Sequence, residues 1–298
     1  MRAVWSFWSK PYERSQGRTW GTPRHHLVAW GLSHRLARAH FEETMLVTDS
    51  AGKRLLVDRL GMEFDHVSTE LDRLDGVDPG WWALGKLVAY SLQEVPFIHL
   101  DTDVFLWKKP EAAVLDAPVF AQCPELHGTG GELNPQAIER LFVRHGLSLP
   151  PEWSWSASPD KAWFREENCG ILGGNDLGFI RHYATDAIRI VTDPSHSPAW
   201  TEIGRKDGYN MLIEQFWLSA CLEYHRSDPD SPYREVQVRH IFPTMDDAFD
   251  PRKAALAGFT HLLGDTKSHP EVSSRLDRRL AALDPVFHRR CERVSQSN

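Results

Sequence analysis

Over its first third the chain switches repeatedly between short apolar runs and longer amphipathic ones, and few folds accept that rhythm. Ala3 to Trp8 reads as a strand. His25 to His40 has helical spacing through Leu27, Val28, Trp30, Leu32 and Leu36, and Thr44 to Thr48 is again a buried strand. Gly52 to Leu60 fits a short helix, Phe64 to Ser68 a third strand, Trp81 to Gln93 a helix, and Phe97 to Leu100 a fourth strand. Apolar strands separated by helices belong to a parallel sheet covered on both faces. The 298 residues, 41% hydrophobic, supply ample core. The expectation is one α/β domain spanning residues 1–298, with an elaborated C-terminal half.

That second half is less regular. Residues 150–163 (PPEWSWSASPDKAW) read as a loop, and Trp153, Trp155 and Trp163 in it are candidates for contact with a second substrate. Tyr209 to Tyr224 has a helical apolar face, and Glu214 and Gln215 lie either on its solvated side or in a cleft. The tail, Val272 to Val294, is helical, basic on one side and interrupted at Pro285. It reads as a packed terminal helix with a charged face or as a surface for an anionic membrane.

Composition excludes some functions. A net charge of -7 argues against nucleic-acid binding, which leaves a basic footprint. Cys123, Cys169, Cys221 and Cys291 form no C-x-x-C pair and read as free thiols in a reducing compartment. No apolar run is long enough for a signal peptide or a membrane span, so a cytoplasmic location is expected, with the tail as a peripheral contact to the inner membrane face. Twelve tryptophans suit a bulky core and also the flat faces that cover sugars.

The chemistry concentrates in VPFIHLDTDVFLWKKP, residues 95–110. Asp101 and Asp103 follow the fourth apolar strand with Thr102 between them, so both carboxylates project to one locus. In open parallel sheets, ligands sit beyond the carboxyl ends of the strands. Two adjacent carboxylates repel unless one is protonated or a cation lies between them. A hard divalent cation, Mn²⁺ or Mg²⁺, answers that need. Asp49 ends the second strand as a helix cap, and Asp176 follows Gly173-Gly174 as a turn residue or a sugar contact. Tyr12 covers the core or stacks on a base.

The string LGKLVAYSLQEVPFIHLDTDVFL, residues 84–106, resembles the core of GT-A-fold glycosyltransferases with a D-x-D motif, especially family 8, the glycogenin and lipopolysaccharide galactosyltransferase type. HLLGDTK, residues 261–267, is similar to that family's H-x-x-G-x-x-K motif, and ENCGILGG resembles its N-x-G segment. The resemblance implies a Rossmann-like, mostly parallel sheet flanked by helices. Residues 1–110 would then bind nucleotide, residues 111–270 donor sugar and acceptor, and residues 271–298 would form the helical tail. It implies Asp101, Asp103 and His261 as metal ligands. Lys86, Thr102, Asn168, Gly170, Gly264 and Lys267 would contact a nucleoside diphosphate sugar. Asp103, Lys267 and Glu214 would serve catalysis, with retention at the anomeric carbon as the resemblance implies, or with Glu214 or Asp176 as the base of an inverting reaction. Ser268, His269 and Pro270 stand where the family usually has Pro-Trp.

The acceptor would be a glycan, a lipid-linked sugar, a protein or a small molecule. A sugar-nucleotide-binding protein without activity is the alternative from another class. A haloacid-dehalogenase-like phosphotransferase is the poorer match, because the aspartate pair follows the fourth strand and Phe105 stands where that motif has Thr or Val.

Overall fold

The computed structural model describes residues 1–15, 20–156 and 162–296. Eleven strands are present among them: β1 (Arg2–Phe7), β2 (Glu43–Thr48), β3 (His66–Ser68), β4 (Phe97–Leu100), β5 (Val104–Leu106), β6 (Val119–Ala121), β7 (Pro124–Gly128), β8 (Trp163–Glu167), β9 (Ile171–Gly174), β10 (Val238–His240) and β11 (Phe259–His261). The class is α/β, with a mostly parallel central sheet flanked by helices and with separate antiparallel ribbons. The chain divides into two compact units. The first comprises Met1–Pro79, Ile98–Pro110 and Pro251–Asn298, the second Gly80–Phe97 and Glu111–Asp250.

In the first unit β1 pairs in parallel with β2, Arg2 opposite Glu43 through Phe7 opposite Thr48, and β2 pairs in parallel with β3. Ala3, Val4 and Trp5 are wholly buried, as expected of a strand covered on both faces. The helix Pro23–Arg38 starts where Thr22 caps it, its hydroxyl accepting the His25 N–H, with Pro23 in the first turn. Asp49 closes β2 in the same way, accepting from Gly52 N at 2.7 Å and from Ser9 N and Oγ at 2.9 and 2.7 Å. The helix-cap reading of Asp49 therefore describes the structure. The predicted helix from Gly52 to Leu60 begins earlier, as an α-turn Ser50–Lys53 running into a π-type turn Arg54–Arg59.

The C-terminal segment forms two helices, Pro270–Leu283 and Pro285–Gln296. Leu276, Leu280, Phe287 and Cys291 are buried. The Phe287 ring lies so close to Gly31 that a Cβ there would come within 2.3 Å of it, and the Arg35 guanidinium covers the other part of the ring at 3.8 Å. Phe287 and Leu280 of the tail thus pack against the helix Pro23–Arg38, while Leu283 and Val286 stay exposed. Among the described residues no helix is long and apolar enough to cross a membrane.

In the second unit β6 pairs in parallel with β10 and antiparallel with β9, and β7 with β8 form a separate antiparallel ribbon. The predicted helix from Tyr209 to Tyr224 is a succession: a 3₁₀ turn Asp207–Tyr209, a π-type turn Leu212–Phe216, then the α-helix Trp217–Ser227. Residues 151–156 are helical where a loop was expected. Trp153 is fully buried against Phe216 and Trp217, so it is a core residue and not an acceptor contact. Trp163 is exposed, and the Trp155 side chain lies outside the described residues. All four cysteines are buried free thiols, and burial pushes Cys123 and Cys291 up to about 12.

Candidate metal and donor site

In the first unit, β4 delivers its terminal carboxylates as predicted, and a second ribbon brings the rest. β5 and β11 pair antiparallel, with Val104 opposite His261, and the Leu262 N–H donates to the Asp103 carbonyl at 3.0 Å. That register sets His261 beside Asp103. One ligand atom each from Asp101, Asp103 and His261 can lie within 4.8 Å of the others. His261 Nε2 stands 3.5 Å from Asp103 Oδ1, and Lys267 Nζ contacts Asp103 Oδ2. Asp101 is less enclosed, with its carboxylate 3.9 Å from His99 Nδ1. Thr102 sits in the turn closed by the Val104 N–H to the Asp101 carbonyl.

Asp103 is 5% exposed. Burial alone would raise its carboxyl, but the charges of His261 and Lys267 outweigh burial and hold it well below the usual carboxylate range. Its Oδ1 is buried without a hydrogen bond, because 3.5 Å to His261 is an ion-pair separation and too long for one. An anionic, donor-free oxygen flanked by an imidazole and a second carboxylate is a donor set that suits a small divalent cation. Close behind, His26 is buried, its Nε2 accepting from Trp30 Nε1 at 3.0 Å. Burial, with Lys267 adding to it, lowers His26 to about 3, so it stays neutral. Tyr12 stacks on His26 with ring centroids 4.6 Å apart, which favours the core reading of Tyr12. Gly264 opens the 3₁₀ turn that carries Lys267 and has φ +53. A Cβ there would meet nothing within 4 Å, so glycine serves the left-handed backbone and not a close approach.

The second unit gathers the remaining predicted residues. Glu214 is wholly buried, which overturns both the solvated-face and the cleft-facing readings of that side chain. Its Oε1 lies 2.8 Å from Lys86 Nζ and accepts from Tyr90 OH at 2.9 Å, while Tyr183 OH donates to its carbonyl at 2.9 Å. Lys86 Nζ also donates to the Cys169 carbonyl at 2.9 Å. That carbonyl lies inside the predicted Asn168–Gly170 segment, where Asn168 Oδ1 accepts the Gly170 N–H at 3.0 Å and Asn168 Nδ2 donates to Glu125 at 2.8 Å. Asp176 caps the helix Leu177–Thr192, accepting from Phe179 N at 2.9 Å. Its turn role is therefore filled.

Sequence reasoning missed the acidic ribbon formed by β7 and β8. Glu125 stands directly opposite Glu166, and both are buried. Like charges so placed are unfavourable unless something positive lies between them. His127 does, 3.1 Å from Glu166 and 3.7 Å from Glu125, and its contact with Glu166 raises its pKa. The carboxyl of Glu166 is raised by its own burial. Glu167, on the same strand, pairs with His240 at 2.7 Å. The signal was the paired glutamates of FREENCG, directly ahead of the Asn168–Gly170 segment.

A family model described as "Family of unknown function (DUF6734)" matches residues 1–294. No curated protein matches the chain in sequence. Among solved structures, the crystal structure of the galactosyltransferase LgtC in complex with donor and acceptor sugar analogs is similar at 11% identity. That match covers 95% of this chain and 96% of that one, with a TM-score of 0.42.

Proposed function

This chain belongs to DUF6734, a family of unknown function, and from its own site we propose that it is a metal-dependent glycosyltransferase, taking a sugar from a nucleoside diphosphate sugar, UDP-sugars first among them. The observation that carries this reading is the convergence of Asp101, Asp103, His261 and Lys267 at the carboxyl end of β4. Asp101, Asp103 and His261 would hold Mn²⁺ or Mg²⁺, which when bound supplies positive charge where a diphosphate departs. Lys267 is a more exposed cation than Lys86. Its side chain is 21% exposed on the turn that Gly264 opens, and it would turn from Asp103 to a phosphate oxygen. A lysine placed there stabilises charge that develops on the leaving group.

Residues of the second unit act by position. Lys86, paired with Glu214, holds the Cys169 carbonyl and so fixes the Asn168–Gly170 turn, which by the resemblance would contact the donor sugar. Glu214 is thereby a positioning residue in this reading and not a base. Retention of the anomeric configuration is what the resemblance implies.

The test is a panel of UDP-, GDP- and ADP-sugars incubated with the full chain, scoring free nucleotide with Mn²⁺ present and after chelation. Metal-dependent release from at least one donor is expected, with thermal stabilisation by the matching diphosphate plus Mn²⁺. If no donor is cleaved and no nucleotide shifts the melting curve, the transferase reading ends.

A further inference from the structure

Three helices of the second unit each deliver one side chain to a common point, outside everything assigned above. Glu152 lies on Pro151–Ser156, His182 on Leu177–Thr192 and His225 on Trp217–Ser227. The Nε2 atoms of the two histidines face each other at 3.1 Å. Glu152 Oε1 lies 3.5 Å from one and 3.8 Å from the other. A tetrahedral ion with bonds of about 2.0–2.1 Å spaces its ligand atoms about 3.3–3.4 Å apart, and this triangle brackets that spacing.

The outer atoms of both rings are engaged as well. Nδ1 of His225 is hydrogen-bonded to Ser231 Oγ at 2.8 Å, and Nδ1 of His182 lies at an ion-pair separation of 3.5 Å from Asp186 Oδ2. Tyr233 stacks on the His182 ring, with centroids 5.4 Å apart. Partners on Nδ1 that leave Nε2 facing inward are what a metal-bound imidazole needs behind it. An independent sign comes from Glu152 itself, which is 6% exposed and has its Oε2 buried without a hydrogen-bond partner. A buried carboxylate oxygen left so is costly unless a positive species completes it.

We propose that Glu152, His182 and His225 bind one divalent ion of the Zn²⁺ class and that the ion ties these three helices together. Two imidazoles and one carboxylate suit zinc or a neighbouring transition metal better than Mg²⁺. The His182 side chain is 27% exposed, which gives the ion an entry and its fourth position to water. This site is independent of the transferase reading.

The full chain, stripped by chelation, is titrated with Zn²⁺ and separately with Co²⁺. One ion per chain lost in His182→Ala, over any held at Asp101, Asp103 and His261, is expected, with a raised melting temperature and the visible absorption of tetrahedral Co²⁺. His182→Ala should weaken binding at least about a hundredfold, and Ser231→Ala, which loosens only the outer partner, about tenfold or more. His182 is the least enclosed ligand, so its variant tests the site even where His225→Ala fails to fold. Asp103→Asn should leave the tetrahedral Co²⁺ signal intact. The proposal is overturned by the absence of stoichiometric Zn²⁺ and Co²⁺ binding, by binding unchanged in His182→Ala, or by a Co²⁺ signal that vanishes with Asp103→Asn. The 3.1 Å contact would then be a proton shared between two imidazoles.

Discussion

Lys86 and Lys267 look alike in the sequence, each a cation beside a motif that implies phosphate, yet the fold holds them in opposite ways. Lys86 is sealed between Glu214 and the Cys169 carbonyl with 10% of its side chain exposed. Lys267 leans on Asp103 from an open turn. The first cation has nowhere to go, so its energy is structural. The second can exchange one oxygen partner for another, so its energy is available to a ligand. Under the proposed function, burial and the number of fixed acceptors, more than charge or motif, separate a lysine that would hold a turn in place from one that would meet a donor phosphate.

The largest effect that would break this contrast concerns the sealed pair. Glu214→Ala leaves Lys86 charged, buried and without its carboxylate, and should cost about 3–5 kcal/mol, read as a fall in the urea midpoint at constant slope. Lys86→Met with Glu214→Leu should recover much of that loss, because both charges leave together. Stability unchanged in Glu214→Ala would refute the sealed-pair description.

For Lys267→Met the balance reverses. Donor cleavage should fall by about 10²–10³, the range for losing one positioned charge stabiliser, while the melting temperature falls less than in Glu214→Ala. Equal losses of turnover and stability at both lysines would erase the distinction.

A pH scan sharpens the comparison by isolating background titration. His34, packed between Trp5 and Phe64, is 4% exposed, and burial, then Arg35, lowers it to about 3. The unfolded chain binds this proton near pH 6.5 and the folded one does not. Stability present above pH 6.5 is therefore lost as pH falls toward 3, by about 1.4 kcal/mol per pH unit from this group. His34→Leu should flatten that slope by one proton without altering donor cleavage at neutral pH. The smallest expected effect is Gly264→Ala, about 1–2 kcal/mol from the left-handed backbone alone, since space for the methyl group is open.

What could be read from residues alone followed the range over which the signals act. Parallel strands, their caps at Thr22 and Asp49, and the aspartate pair at the end of β4 all rest on neighbours within a few positions. His261 and Lys267 were legible only through a local pattern. The antiparallel register of β5 with β11, which brings them to Asp103, has no local signature. Burial was the blind spot. Glu214 fits a solvated helix face in one dimension, and only the approach of Lys86, Tyr90 and Tyr183 shows it enclosed. Trp153 sits in a proline- and serine-rich stretch that reads as a loop, yet it fills the core. The Glu152, His182 and His225 cluster has no spacing to find, since each member comes from a different helix. The π-type turn Leu212–Phe216 was also invisible, because a single inserted residue leaves the apolar spacing of the flanking helix almost unchanged.

The four enclosed thiols turn the chain into its own clock. Cys291 belongs to the first unit and Cys123, Cys169 and Cys221 to the second, and none reaches solvent while its unit stays shut. A thiol reagent added to the native protein can react only through opening fluctuations, so each labelling rate measures how often one unit breathes. Mass spectrometry of the labelled peptides would then time the two units separately, in one tube, without a single substitution.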